Sequence, residues 1–405
     1  WQVNDRLTLN LGLRWDYEDN ALNNSYRTPA DRVNALYAAD TRNVSGITAP
    51  AGQTYAQSLA RGGINIADYI ATGSRKAFKN AWQPRLGFSL DLAGNLETVL
   101  FGGFGRAFDR TMANHALDEM QKNAQPNGEI WLIKNDHKMP YTDQFTFGVR
   151  QALGGWNGEA GYMNSRAKNQ FIWYGGNRDP NGGFGTQSPI DPLWGGPAGY
   201  GTLILGDFVA EAKTSSLYLR GDKPYSKRSG WGLSATYTYS KSETTNREWT
   251  NDIFSWTYGK PGEGNRWYKS KDVSPHKFVL AGLTDKLPWD LMLSGKVTLA
   301  SARPYRITDC SAGWSNCKFQ EGKGDQLQQV DLGLAKDIKV GFGYLTLRAD
   351  VLNLFNTVNY GGFDDWGGGP GNPQNSLGGD NPNLGTPNSM AGPMRTFKLG
   401  LRYTF

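Results

Sequence analysis

Two cysteines and three histidines are all the thiols and imidazoles that 405 residues offer to metal or nucleophile chemistry. His115, His137 and His276 stand far apart in the chain, and no His-Glu-x-x-His helix, Walker loop, dinucleotide fingerprint or Gly-x-Ser-x-Gly elbow occurs. The chain is therefore expected not to be an enzyme, and neither a cofactor nor a metal ligand set is expected. No stretch approaches about 18 apolar residues, which excludes a transmembrane helix. A net charge of +6 is small for this length and no Lys/Arg-rich block exists, so nucleic acid is not implied as a partner. A charged and apolar leader is also missing, since a strand pattern opens at Trp1. The expectation is that a signal peptide has been removed or that upstream chain is absent. Cys310 and Cys317 sit close together in a Gly/Ser/Asn-rich stretch without a nearby His. Their spacing can close a disulfide, which would fit an oxidising exterior, and it supports a two-Cys metal site less well.

What is present is alternation. Leu7, Leu9, Leu11, Leu13, Trp15 and Tyr17 form one face of a strand, with Thr8, Asn10, Gly12, Arg14 and Asp16 opposite. Leu86, Phe88, Leu90 and Leu92 repeat the pattern, as do Phe145, Phe147 and Val149, then Trp231, Leu233, Ala235, Tyr237 and Tyr239. Twelve such strands can be counted, near 6–17, 82–92, 96–108, 142–153, 157–168, 213–224, 231–240, 275–287, 291–302, 327–338, 342–356 and 394–405. Faces are ambiguous for 96–108 and 275–287, where glycines and bulky residues blur the period. Gly102-Gly103-Phe104-Gly105 inside the third strand is read as a bend or a close approach to another body. At about 10–14 residues each strand can cross a bilayer when tilted.

Connection lengths alternate as well. Tight turns follow every even strand, and long segments follow the odd ones, at 18–81, 109–141, 169–212, 241–274, 303–326 and 357–393. Loops of that length count against a compact soluble domain. In an outer-membrane barrel they are expected on the extracellular side, with the short turns in the periplasm. The fold class expected is thus all-β, a transmembrane antiparallel up-and-down barrel wall. A soluble β-sandwich is the alternative, and it would leave the terminal strand as an exposed sticky edge.

The loops hold aromatic residues beside arginine: Trp173, Tyr174, Trp194 and Tyr200 in one, and Trp249, Trp256, Arg266 and Trp267 in another. Such groupings mark ligand-binding surfaces. They are equally what an aromatic membrane belt or tightly packed loops would require, and both readings stand at this point. The first long loop has room for a short helix beginning after Asp31 as its N-cap.

Several passages resemble known families. Lys398, Gly400, Tyr403 and Phe405 fit the C-terminal assembly signal of bacterial outer-membrane barrels, which implies the barrel-assembly machinery as a partner. The opening Asn4-Asp5-Arg6-Leu7-Thr8-Leu9-Asn10-Leu11-Gly12-Leu13-Arg14-Trp15-Asp16 resembles the strand motif of TonB-dependent outer-membrane transporters. Pro140-Tyr141-Thr142-Asp143-Gln144-Phe145, Ser274-Pro275-His276-Lys277-Phe278-Val279-Leu280 and Val351-Leu352-Asn353-Leu354-Phe355-Asn356-Thr357-Val358-Asn359-Tyr360 are similar to the Oar-like branch of these receptors.

The resemblance implies a 22-stranded barrel filled by a plug domain. Residues 1–405 would then be the C-terminal part of the barrel, its last twelve strands. Its partners would be the plug, the remaining strands, outer-membrane lipid and lipopolysaccharide, and the TonB complex acting through the missing N-terminal part. It implies active uptake of a scarce solute (a ferric chelate, a peptide or a glycan) in a Gram-negative outer membrane. The rival readings are a passive porin, a structural or adhesive barrel gripping a protein partner, and a small barrel closed by these twelve strands alone. Arg14, Asp16, Arg85, Asp91, Arg150, Arg220, Lys296, Asp331, Arg348, Asp350, Lys398 and Arg402 are expected to face the lumen. There they need water or polar partners, because a charge left dry costs several kcal/mol.

Overall fold

The computed structural model describes all residues except 45–46, 62, 112, 176–194, 246–266, 310–317 and 369–380. Its main feature is one antiparallel meander of twelve wall strands. In chain order they are β1 (Leu7–Asp16), β2 (Ala81–Asp91), β3 (Thr98–Phe108), β4 (Tyr141–Leu153), β5 (Trp156–Gly175) and β6 (Leu203–Ser226). The second half is β7 (Trp231–Thr244), β8 (His276–Thr284), β9 (Leu291–Ala300), β10 (Leu327–Val340), β11 (Gly343–Leu352) and β12 (Thr396–Thr404). Each strand pairs with its neighbours in sequence, and two short strands, Ile130–Ile133 and Tyr268–Lys269, join beside β6 and β7.

Register carries one apolar face across the whole sheet. Leu11 lies opposite Leu86, Leu86 opposite Phe104, and Phe104 opposite Phe145. Farther on, Tyr162 faces Leu217, Leu217 faces Tyr239, and Leu347 faces Leu401. This pairing settles the two ambiguous strands, because a residue directly opposite a partner shares its face. The apolar face is bare: Leu11 is 63 %, Leu219 59 % and Leu399 88 % exposed. A soluble protein does not leave a surface of this kind uncovered. Lipid covers it in a membrane barrel, where every strand must alternate apolar out and polar in.

Glycines in the wall receive neighbouring rings. A Cβ on Gly161 would stand 2.5 Å from the Tyr218 ring, and one on Gly148 2.5 Å from Phe101. At Gly102 and Gly103 the neighbouring strand β2 makes a close approach. The Phe88 ring lies 2.7 Å from a Cβ built on Gly102, and the Leu86 carbonyl 2.7 Å from one on Gly103.

Tight turns close one rim. Asp91 accepts from the backbone N–H of Gly94 (3.0 Å) and of Leu96 (2.8 Å), so this expected lumen residue organises the β2–β3 turn. Gly154 and Gly155 take φ of 58° and 85° between β4 and β5, a region that glycine enters without strain. The two ends of the meander stay apart: β1 and β12 do not pair with each other. The small barrel closed by twelve strands is therefore not what forms. Instead Trp1–Val3 fold back along the free edge of β1, with Leu9 N–H donating to Trp1 O (2.8 Å) and Val3 N–H to Leu7 O (2.9 Å). Asn4 makes that reversal by accepting from the N–H groups of Arg6 and Leu7, both at 2.9 Å.

Candidate functional site: a folded cap and a charged inner wall

At the long-loop rim the connections fold into a body of their own. It holds α1 (Ala30–Tyr37), α2 (Tyr55–Arg61), α3 (Ala113–Asn123), strand Ile130–Ile133 and the ends of β5 and β6. Those two wall strands run on to Gly175 and from Leu203, beyond the expected limits near 168 and 213. Strand Ile130–Ile133 lies parallel to β6 and is buried on both faces. Ile130 and Leu132 enter a cluster with Leu36, Tyr55, Leu59 and Tyr174, while Trp131 and Ile133 enter one with Trp173, Ile204 and Phe208. A strand between two apolar layers reads as a continuous apolar run, so period two gives no sign of it.

Helix α3 closes the free edge of that strand with side chains four residues apart. Glu119 accepts from Ile133 N–H at 2.8 Å, and Asn123 accepts from Trp131 N–H at 3.0 Å. Arg75 meets Glu119 with two bonds of 2.6 and 2.7 Å, and both side chains are 1 % exposed. The guanidinium also donates to the carbonyls of Ile133 and Leu22 and to Asn135. Burial pushes the Glu119 carboxyl up, and the Arg75 fork and the Ile133 N–H pull it back. Helix α1 begins at Ala30 after Pro29, so Asp31 sits in its first turn and is not the N-cap. There it accepts from Tyr200 Oη at 3.1 Å.

Two histidines flank the aromatic cluster. His115 stacks on Phe171 at 3.8 Å, and His137 lies 5.1 Å from Phe208 with Nε2 2.9 Å from Thr111 Oγ1. Burial lowers both to about 4 from the usual 6.5; for His137 Glu18 opposes and Arg75 assists. Each imidazole is thus favoured neutral by the fold. That stabilisation is complete above the ordinary imidazole range and is lost as the pH falls from about 6.5 towards 4. Acidification through this window is expected to cost the cap about 2–3 kcal/mol per histidine. Hydrogen exchange of 113–137 should accelerate at pH 5, and His115→Gln/His137→Gln should flatten that dependence. Equal pH profiles in the variant and the parent would refute it.

The aromatic residues named from sequence are divided by the structure. Trp173 and Tyr174 are 3 % and 0 % exposed inside the cap, where they hold the loops together. Tyr174 Oη lies 2.7 Å from Tyr69 Oη. Trp267 is half-buried, with Lys213 Nζ 3.9 Å above its ring. Trp194, Trp249, Trp256, Arg266, Cys310 and Cys317 lie outside the described residues. Lys398, Gly400 and Tyr403 are on β12, with Phe405 just beyond, and Tyr403 Oη donates to Val340 O at 3.2 Å.

The inner wall carries ordered charge. Arg150 lies opposite Glu159, which lies opposite Arg220, and Lys296 lies opposite Asp331. Arg14 binds Asp16 at 2.7 Å, Arg348 binds Asp350 at 2.8 Å, and Asp350 lies opposite Lys398. Sequence reasoning missed Glu159, which also accepts from Tyr218 Oη at 2.7 Å. Its alternation with Gly161 and Asn157 was the available signal.

A wall apolar outside, charged inside, with short turns on one rim and a folded cap on the other, defines a transmembrane outer-membrane barrel. The family profile of the outer membrane beta barrel domain matches residues 1–129 and 116–291, and the chain belongs to that family. Its place is the bacterial outer membrane. Among solved structures, the outer membrane transporter YddB from Escherichia coli superimposes with a TM-score of 0.58 at 17 % identity. That match covers 80 % of this chain and 41 % of YddB, so the chain spans about two fifths of that transporter. A mutant of the ferric enterobactin receptor PfeA from Pseudomonas aeruginosa aligns with a TM-score of 0.47 at 17 % identity, over 79 % of this chain and 40 % of PfeA. The ferripyoverdine receptor of the same organism gives 0.43 at 14 % identity, over 71 % and 31 %. No curated protein matches the chain.

Proposed function

We propose that the chain is the C-terminal wall of a TonB-dependent outer-membrane receptor, with the tight turns in the periplasm and the cap outside. The receptor takes up a scarce solute (a ferric chelate, a peptide or a glycan) captured at the long loops. One observation carries this reading: the sheet is amphipathic through all twelve strands yet stays open. The free edge of β1 already pairs with Trp1–Val3 across a tight reversal. That reversal lies on the short-turn rim, where the alternation requires one, and an open wall of this kind suits a barrel of more than twelve strands. A wider wall with this charged lining needs a polar filling, which a plug domain supplies. Within the cap, Trp173 and Tyr174 act by packing, and capture falls to Trp194, Trp249, Trp256, Arg266 and Trp267.

Planar-bilayer recording on the full-length protein tests the reading. A plugged receptor shows no steady current, and deleting the upstream plug opens a large one. Uptake in cells should stop when TonB is removed. A constant large current from the intact protein, or uptake indifferent to TonB, would establish a passive porin instead.

A further inference from the structure

A hollow opens on the inner wall away from the cap, where β7 to β10 meet the long-loop rim. Its volume is about 410 Å³, within the roughly 300–1,000 Å³ usual for small-molecule sites. Register places its floor. Thr238 lies opposite Lys277, Lys277 opposite Ala300, and Ala300 opposite Leu327. Thr238 alternates with Tyr237 and Tyr239 of the lipid face, so this row faces the lumen. Thr298 of β9 shares that face with Ala300.

Three successive links bring charge to the hollow. Asp272 precedes β8, Lys277 lies in its first turn of backbone, Arg303 follows β9, and Asp325 precedes β10. None of these four side chains has an ion pair or a hydrogen bond among the described residues. The adjoining Glu321 is already taken by Lys269 at 2.9 Å. Opposite charges within reach of each other pair directly, so two cations and two carboxylates that line one hollow unpaired are held apart by its walls. The hydroxyls of Thr238, Thr298 and Tyr360, which line the same space, likewise have no partner among the described residues.

Charge of both signs selects the kind of solute. A neutral glycan can use the hydroxyls but leaves all four charges without a role. An anionic chelate meets Lys277 and Arg303 and is repelled by Asp272 and Asp325. A peptide with free ends carries a carboxylate and an ammonium on one small body, and its amide groups can bond the hydroxyls.

We propose that this hollow binds a short peptide by its two ends, Lys277 and Arg303 taking the carboxylate and Asp272 and Asp325 the ammonium. The site narrows the solute of the uptake reading above to one class. It rests on that reading only in making the bound peptide a cargo.

Isothermal titration calorimetry of the full-length protein in detergent tests this, with trialanine, its N-acetyl form, its C-terminal amide and the doubly blocked peptide as probes. Trialanine is expected to bind, and blocking either end to weaken it by about tenfold or more. Lys277→Gln/Arg303→Gln should lose the preference for a free carboxylate and keep the one for a free amine. Asp272→Asn/Asp325→Asn should do the converse, with the heat-modifiable mobility of both barrels as in the parent. The four probes on the parent protein decide the matter even where a variant fails to fold. Equal affinity for the doubly blocked peptide, no binding of trialanine, or unaltered preferences in both folded variants overturns the site. These affinities need no TonB. Uptake indifferent to TonB would sink the receptor reading and leave them standing, whereas TonB-dependent uptake without end-specific binding would sink the site alone.

Discussion

Glu119→Ala is expected to unfold the cap while leaving the wall folded. The carboxylate removed is the only ionised partner of Arg75 among the described residues, and both side chains are 1 % exposed. Breaking a buried pair from one side costs about 3–5 kcal/mol, because the remaining charge is stranded. The Ile133 N–H, which donates to Glu119 at 2.8 Å, loses its acceptor as well. A guanidinium is a permanent cation, so the charge left behind stays buried. Removing the other partner should therefore be gentler. In Arg75→Met the buried Glu119 carboxyl, already pushed up by burial, can take a proton and become neutral. That variant should regain stability as the pH falls, and Glu119→Ala should not. Hydrogen exchange over 113–133 is the measurement: acceleration by roughly 100-fold or more at neutral pH in Glu119→Ala, with 141–166 unchanged. Equal protection in parent and variant would show that the pair holds nothing together. Loss of the folded, heat-modifiable barrel in Glu119→Ala would show that cap and wall are one cooperative unit.

The contrast between wall and cap also explains what could be read from the chain. A strand with lipid on one side and polar surroundings on the other must alternate, so Leu7 to Asp16 announces itself in sequence and appears as β1. Tight and long links alternate along the chain for the same reason. In the cap the physics differs. Ile130-Trp131-Leu132-Ile133, Ile172-Trp173-Tyr174 and Leu203-Ile204-Leu205 are buried on both faces, and continuous apolar runs of three or four residues do not distinguish strand from helix. Their aromatic members looked like a recognition surface because an exposed Trp and a buried one are written with the same letter. Glu119 and Asn123 were invisible for another reason: on an isolated α3 they read as solvated residues, and only the edge of a non-local strand gives them a role. The upper border of the apolar band was half legible. Arg166 and Lys213 fall on the apolar face of their strands, and that breach of alternation marks the border of the band.

Leu219→Arg is expected to be the most damaging single change in the wall. Leu219 lies on β6 between Lys213 at the upper border and Ser226 at the lower, near the middle of the band, and is 59 % exposed to the lipid side. An arginine at the midplane of such a barrel costs about 2–4 kcal/mol, falling to about 0–1 at the borders. The cost should therefore decline stepwise from Leu219→Arg through Leu217→Arg to Ser215→Arg, the last two residues from Lys213 at the upper border. An inward control separates depth from crowding. Thr146 on β4 faces the lumen opposite Gly103, in a cleft it shares with Arg85 and Gly105, so an added guanidinium stays in polar surroundings and Thr146→Arg should cost within about 1 kcal/mol. Urea titration of the full-length protein in lipid vesicles, read by the heat-modifiable band, gives the four values. Equal losses at 215, 217 and 219 would mean that no hydrocarbon layer spans these positions. A larger loss at Thr146 than at Leu219 would reverse the two faces, and with them the lumen and its charged lining.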